Sequence, residues 1–169
     1  MESMDVLPDH LRPDLRIVFC GTAAGKASAL RGAYYAGPGN LFWRTLHQAG
    51  FTRQLLQPHE FRLLNDFDIG LTDVAKKASG ADAILTESDF CVDGFRRRMD
   101  RTTPAFIAFN GKKAASVILG KSTRQISYGL QTETLGISKL FVLPSTSGSG
   151  RRYWNEAYWF ELARLAQRY

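Results

Sequence analysis

Apolar positions along the chain fall into short continuous runs separated by polar or helix-spaced stretches. Residues 16–20 (RIVFC), 69–72 (IGLT), 105–109 (AFIAF) and 139–143 (KLFVL) are such runs, the pattern of strands buried on both faces. Between them the spacing turns helical. Leu41, Phe42, Trp43, Leu46 and Ala49 predict a helix that Asn40 caps and Gly50 stops, since a short polar side chain favours an N-cap and glycine a C-terminal stop. Further helices are predicted over residues 58–64, over 88–100, from Gly111 to about Leu119, and over 153–167. The last sets Trp154, Ala157, Tyr158, Leu162 and Leu165 on one face. Strands alternating with helices predict an α/β fold, a three-layer α/β/α sandwich around a central, mainly parallel sheet of about four strands. No repeat or linker divides residues 14–169, which read as one domain, and residues 1–13 read as an N-terminal tail.

In sheets of this kind the functional crevice lies beyond the carboxyl ends of the strands. The residues just past the four runs are Gly21 to Gly25, Asp73, Asn110 with Gly111, and Pro144 to Gly148, all polar or glycine-rich. Residues 21–39 read as one long glycine-rich loop, and long loops in compact domains usually carry function.

Composition narrows the classes. The chain has 169 residues, 44% of them hydrophobic, enough for one domain with a core. Its net charge of +6 favours a polyanionic partner. No apolar run is long enough to span a bilayer, and the acidic start MESMD does not resemble a signal peptide, so an intracellular protein with no membrane partner is expected. Cys20 and Cys91 are too few for a four-thiolate metal site or a disulfide scaffold, and both read as buried free thiols. His10, His47 and His59 show no metal spacing, and no metal site is expected. Gly21-Thr-Ala-Ala-Gly25-Lys26 fails as a nucleotide phosphate loop, because its glycines are one residue too close and Ala27 lacks the hydroxyl that reaches magnesium.

Five segments in order resemble the mismatch-specific uracil- and thymine-DNA glycosylases of the uracil-DNA glycosylase superfamily. VFCGTAAGKASA (18–29) is similar to the family's first motif, G-I-N-P-G after a strand. AYYAGPGNLFWRTLHQAGFT (33–52) resembles its aromatic segment and N-F-W helix. IGLTDVA (69–75) is similar to G-x-T-N, PAFIAFNGKKA (104–114) to the F-N-G-K strand end, and LPSTSGSG (143–150) to P-N-P-S-G-L. The resemblance implies a monomeric, monofunctional enzyme without metal or organic cofactor. Its substrate is uracil-containing DNA, and it flips the base out and hydrolyses the N-glycosidic bond, leaving an abasic site and free uracil.

By this resemblance Tyr35 stacks on the base, Asn110 reads its polar edge, Gly21 and Thr22 line the base pocket, and Ser28 lies beside carbon 5 of the pyrimidine. Ser145, Thr146, Ser147 and Gly148 are expected to bind phosphate oxygens, as hydroxyl-rich turns commonly do. Arg151 and Arg152 adjoin that motif and are expected to bind DNA. The basic clusters Arg96 to Arg98 and Lys112-Lys113 cannot all face DNA, because a helical run spreads around its axis.

Two departures from the family pattern matter. Ala23 replaces the asparagine that positions the attacking water, and Asp73 is the catalytic candidate that takes over. Its plainer alternative is a helix N-cap ahead of Val74. Ser149 stands where the family inserts an apolar wedge into the duplex, so that either Arg151, Arg152 or Tyr153 fills the gap or the gap stays unfilled. The rival readings are a catalytically silent DNA- or base-binding relative and an unrelated small-nucleotide enzyme of the same fold.

Overall fold

The computed structural model describes residues 4–167. Five strands form one sheet in the order β2-β1-β3-β5-β4: β1 (Ile17–Ala24), β2 (Ile69–Ser79), β3 (Phe106–Asn110), β4 (Gly129–Leu135) and β5 (Ser138–Leu143). The first three and β5 run parallel, and β4 is an antiparallel edge. The helices are α1 (Lys26–Arg31), α2 (Phe42–Ala49), α3 (Val92–Thr102), α4 (Lys112–Leu119) and α5 (Ala157–Ala166), with a 3₁₀ helix over Pro58–Phe67.

Strand alternation sorts the core into two layers. Ile17, Phe19, Leu71, Phe106, Ala108 and Phe141 point to one face, where they meet Phe42, Leu46, Trp159 and Leu162 from α2 and α5. Val18, Cys20, Val74, Ile107, Phe109 and Val142 point to the other, against Phe95 and Met99 of α3 and Ala115 and Ile118 of α4. The expected three-layer α/β/α sandwich is therefore what this chain forms.

Four sequence expectations need correction. First, β1 and β2 extend past their apolar runs, to Ala24 and Ser79, because the residues beyond Cys20 and Thr72 still pair with each other through the backbone ladder. Residues 21–39 are accordingly a strand end, α1 and a shorter loop. Second, β4 has no apolar run: its burial alternates as in an edge strand wet on one side. Third, α5 buries Trp159, Leu162, Ala163 and Ala166, while Ala157 and Leu165 face solvent, so the predicted apolar face was out of phase. Fourth, Cys91 is exposed, and only Cys20 is a buried thiol.

The N-terminal segment also packs on the domain over its described part. His10 and Leu71 exchange backbone hydrogen bonds at 3.0 Å, the Val6 amide donates to the Lys76 carbonyl at 2.7 Å, and Leu7 is fully buried. The segment thus covers the open edge of β2, a row of unpaired backbone groups that folded proteins cover or blunt.

Candidate active site

The order β2-β1-β3 places the ends of β1 and β3 side by side with their onward connections leaving in opposite directions, which opens a crevice there. That crevice is a pocket of about 930 Å³. Gly21 to Ala24 of β1 and Gly25 at the start of α1 form part of its wall, Asp73 and Asn110 stand at its base, and Ser145 to Ser149 beyond β5 close the opposite side. Tyr35 and Ser28 line it as well. Arg151 and Arg152 lie outside the wall, exposed to solvent.

Tyr35 is held under strain. Its φ of 53° lies in the left-handed region, uncommon for a residue with a side chain. Its neighbours fix it on both sides: the Trp43 indole donates to the Tyr34 carbonyl at 3.0 Å, and the Ala36 amide donates to the Ser28 hydroxyl at 3.0 Å. One face of its ring rests on Phe42 at a centroid distance of 4.1 Å. Its hydroxyl is buried beside the Asn110 side chain, without an aligned hydrogen-bond partner. Burial, with the Asp73 charge adding to it, holds that phenol protonated well above its usual range.

Asp73 is a strand residue in register with Gly21, not a helix cap, so its N-cap alternative is excluded. Gly21 must be glycine: a Cβ there would lie 2.6 Å from an Asp73 carboxylate oxygen and 3.1 Å from the Tyr35 hydroxyl. The Asp73 carboxylate therefore occupies the space above the Gly21 Cα. Side chains two residues apart on a strand share a face about 6.5 Å apart. The Asp73 carboxylate thus lies on the face to which the Ala23 methyl projects. Burial pushes its pKa up to about 6, the Asp9 charge pushes the same way, and Lys76 and Arg98 oppose both.

Asn110 ends β3 and is buried. Its Nδ2 donates to the Thr146 hydroxyl at 2.9 Å, and its Oδ1 accepts from the Thr146 amide at 3.0 Å. One N–H and one lone pair of the amide remain for a ligand. Thr146, expected to meet phosphate, is 1% exposed and turned inward onto Asn110. Ser145, Ser147 and Ser149 form a chain of hydroxyl contacts at 3.0 and 3.1 Å along the rim. Arg151 donates to the Gly39 carbonyl at 2.6 Å, tying this rim to the loop before α2. α2 starts at Phe42 with Leu41 and not Asn40 at its N-cap, one residue later than expected, and Asn40 in the turn before it accepts from the Phe42 amide at 3.0 Å.

The opposite wall was not legible in the sequence. Gly80, Ala81, Asp82 and Ile84 line the pocket, and so does Lys26. Ile84 is 69% exposed, and no motif marks it. Of the basic clusters, Arg96 and Arg97 face solvent on α3, whereas Arg98 turns inward towards β2. Among the described residues no group of three His, Cys, Asp or Glu side chains could hold a metal ion, and no helix is long and apolar enough to cross a membrane.

The family model of the uracil DNA glycosylase superfamily matches residues 8–167, and the chain belongs to that superfamily. The fold is also that of a solution structure from Methanosarcina acetivorans, a protein provisionally described as a uracil DNA glycosylase. The two share 23% sequence identity and a TM-score of 0.65, over 96% of this chain and 97% of that one.

Proposed function

We propose that this protein is a monofunctional DNA glycosylase that extrudes uracil from DNA and hydrolyses its N-glycosidic bond, acting as a monomer without metal or cofactor. The observation that carries this reading is the Asp73 carboxylate, buried at the base of the pocket and on the face where Ala23 offers only a methyl. An extruded base stacks on the open face of Tyr35, an interaction worth about 1–3 kcal/mol. The Asn110 amide uses its free N–H and lone pair on the base's polar edge, and Gly21, Thr22 and Ser28 border the base. The hydroxyl rim at Ser145 and Ser147, the Gly148 backbone and the guanidinium of Arg152 face the phosphates.

The chemistry follows from charge. As the bond from C1′ to N1 lengthens, its electron pair leaves with the base and the sugar becomes cationic. Ionised Asp73 offsets that cation and accepts a proton from the water that forms the new bond to C1′. The base departs as its N1 anion and takes up a proton from solvent while protonated Asp73 releases its own to solvent, so the products are an abasic sugar and free uracil. Asp73 titrates near 6, so the carboxylate is ionised at neutral pH yet basic enough to take a proton.

The test is incubation with uracil-bearing single- and double-stranded oligonucleotides in the presence of a chelator, followed by alkaline cleavage of abasic sites. Strand breaks at uracil alone support the reading. Binding without breaks identifies a silent relative, and an absence of both binding and breaks overturns the reading.

A further inference from the structure

The N-terminal segment brings a carboxylate to the back of the strand that carries Asp73. Asp9 Oδ1 lies 2.7 Å from Lys76 Nζ, and Asp9 Oδ2 lies 2.8 Å from Arg98 Nε, an ion pair without hydrogen-bond alignment. The Thr72 hydroxyl donates to Asp9 Oδ1 at 2.8 Å. Arg98 Nη2 donates to the Asp73 backbone carbonyl at 2.9 Å. The Lys76 ammonium also donates to the Tyr34 hydroxyl at 3.2 Å, which in turn donates to the Pro8 carbonyl at 3.0 Å. Two cations from two elements, β2 and α3, therefore flank residues 72–76, and one residue of a third element meets both.

The charged groups that face Asp73 are those three: Lys76 from its own strand, Arg98 from α3 and Asp9 from the N-terminal segment. Its other titratable neighbours are the Cys20 thiol of β1 and the Tyr34 and Tyr35 hydroxyls, all held protonated by burial. Lys76 is only 9% exposed, so solvent neutralises little of its charge. A buried cation that loses its partner turns to the next available anion, here Asp73. A carboxylate paired in that way is a weaker base and is no longer free to orient water.

We propose that Asp9 is a positioning residue of the glycosylase site, holding Lys76 and Arg98 so that the Asp73 carboxylate stays unpaired and open to the pocket. The proposal rests on the catalytic assignment of Asp73, and it makes the covering segment of β2 part of the machinery as well as of the fold. Asp9 acts through electrostatics on another group and touches neither base nor sugar.

The experiment is a carboxyl ¹³C NMR titration of Asp73 in the full chain, run beside single-turnover uracil release as a function of pH. Asp9→Asn removes the anion, so the Asp73 midpoint should fall by about one unit or more. The rate at pH 8 should fall about 10- to 100-fold, with affinity for uracil DNA little changed. Lys76→Met removes a cation and keeps the apolar stem, so the midpoint should move the opposite way, upward. Asp9→Glu should restore both readouts. Opposite shifts from two neighbouring substitutions are not what a merely structural contact produces. If Asp9→Asn does not fold, Lys76→Met carries the test alone, and an unchanged or lowered midpoint in that variant overturns the proposal. Shifted midpoints in a protein that releases no uracil uphold the electrostatic role and overturn the glycosylase reading. Uracil release with unshifted midpoints does the reverse.

Discussion

Asp73 combines two properties that oppose each other. It is 3% exposed, and its pKa is pushed up to about 6 from the ordinary carboxylate value of 3.8. Because the folded protein holds the proton more tightly than the unfolded chain, stability falls as pH rises from about 4 to 6 and stays reduced above that window. The shift corresponds to a penalty on the order of 3 kcal/mol at pH 8. Asp73→Asn is therefore expected to melt at a higher temperature than the unmodified protein at pH 8, with the difference vanishing below pH 4; thermal melting across pH checks this. If the proposed role of Asp73 holds, single-turnover cleavage should rise through about pH 6 to a plateau. Gly21 provides a second residue-scale prediction. Gly21→Ala would set a methyl 2.6 Å from the Asp73 carboxylate and 3.1 Å from the Tyr35 hydroxyl. It should lower the cleavage rate at least about 100-fold, the scale on which misplacing a catalytic group by an ångström acts, while leaving bulk DNA affinity intact in a filter-binding assay.

The element that joins binding to fold is β3. Asn110 at its end holds Thr146 through two hydrogen bonds and thereby fixes the turn beyond β5. Asn110→Ala should lose uracil excision and about 1–3 kcal/mol of stability, the usual cost of orphaning buried polar groups. Thr146→Val removes one of the two bonds without altering any group assigned to the base. An intermediate cleavage rate in that variant would show that the turn orients the amide, whereas a wild-type rate would leave Asn110 acting alone. Elements differed in how visible they were beforehand. β3 and β5 announce themselves because they are buried on both faces and need unbroken apolar runs. β4 is an edge strand whose polar side faces water, and β1 and β2 finish in small or polar residues that pair through backbone alone. The motif residues at strand ends were legible for the same topological reason, and Tyr35, Asn110 and Asp73 do line one pocket. The wall from Gly80 to Ile84 was not, because it is set by where the extended end of β2 turns.

At the scale of the whole molecule, segments distant in sequence converge on the end of one sheet, and the chain's charge of +6 favours DNA as the partner. Affinity should fall linearly in log K against log salt. Arg151→Ala with Arg152→Ala should reduce that slope by about 1 for each guanidinium that meets a phosphate; an unchanged slope removes both from the interface. The N-terminal segment, which shows no helical or strand period, belongs to the molecule through its contacts with β2, and only tertiary structure reveals that Asp9 reaches the ions behind the pocket. The central claim is that Asp73 does the work that Ala23 cannot, and it is tested most directly by single-turnover cleavage of a uracil-bearing oligonucleotide in chelator at pH 8, comparing the unmodified protein with Asp73→Asn. The account predicts alkali-labile breaks at uracil alone, formed about 10²–10⁴-fold more slowly by the variant with similar affinity for the oligonucleotide. Equal rates from the two proteins, or no breaks from either, would contradict it.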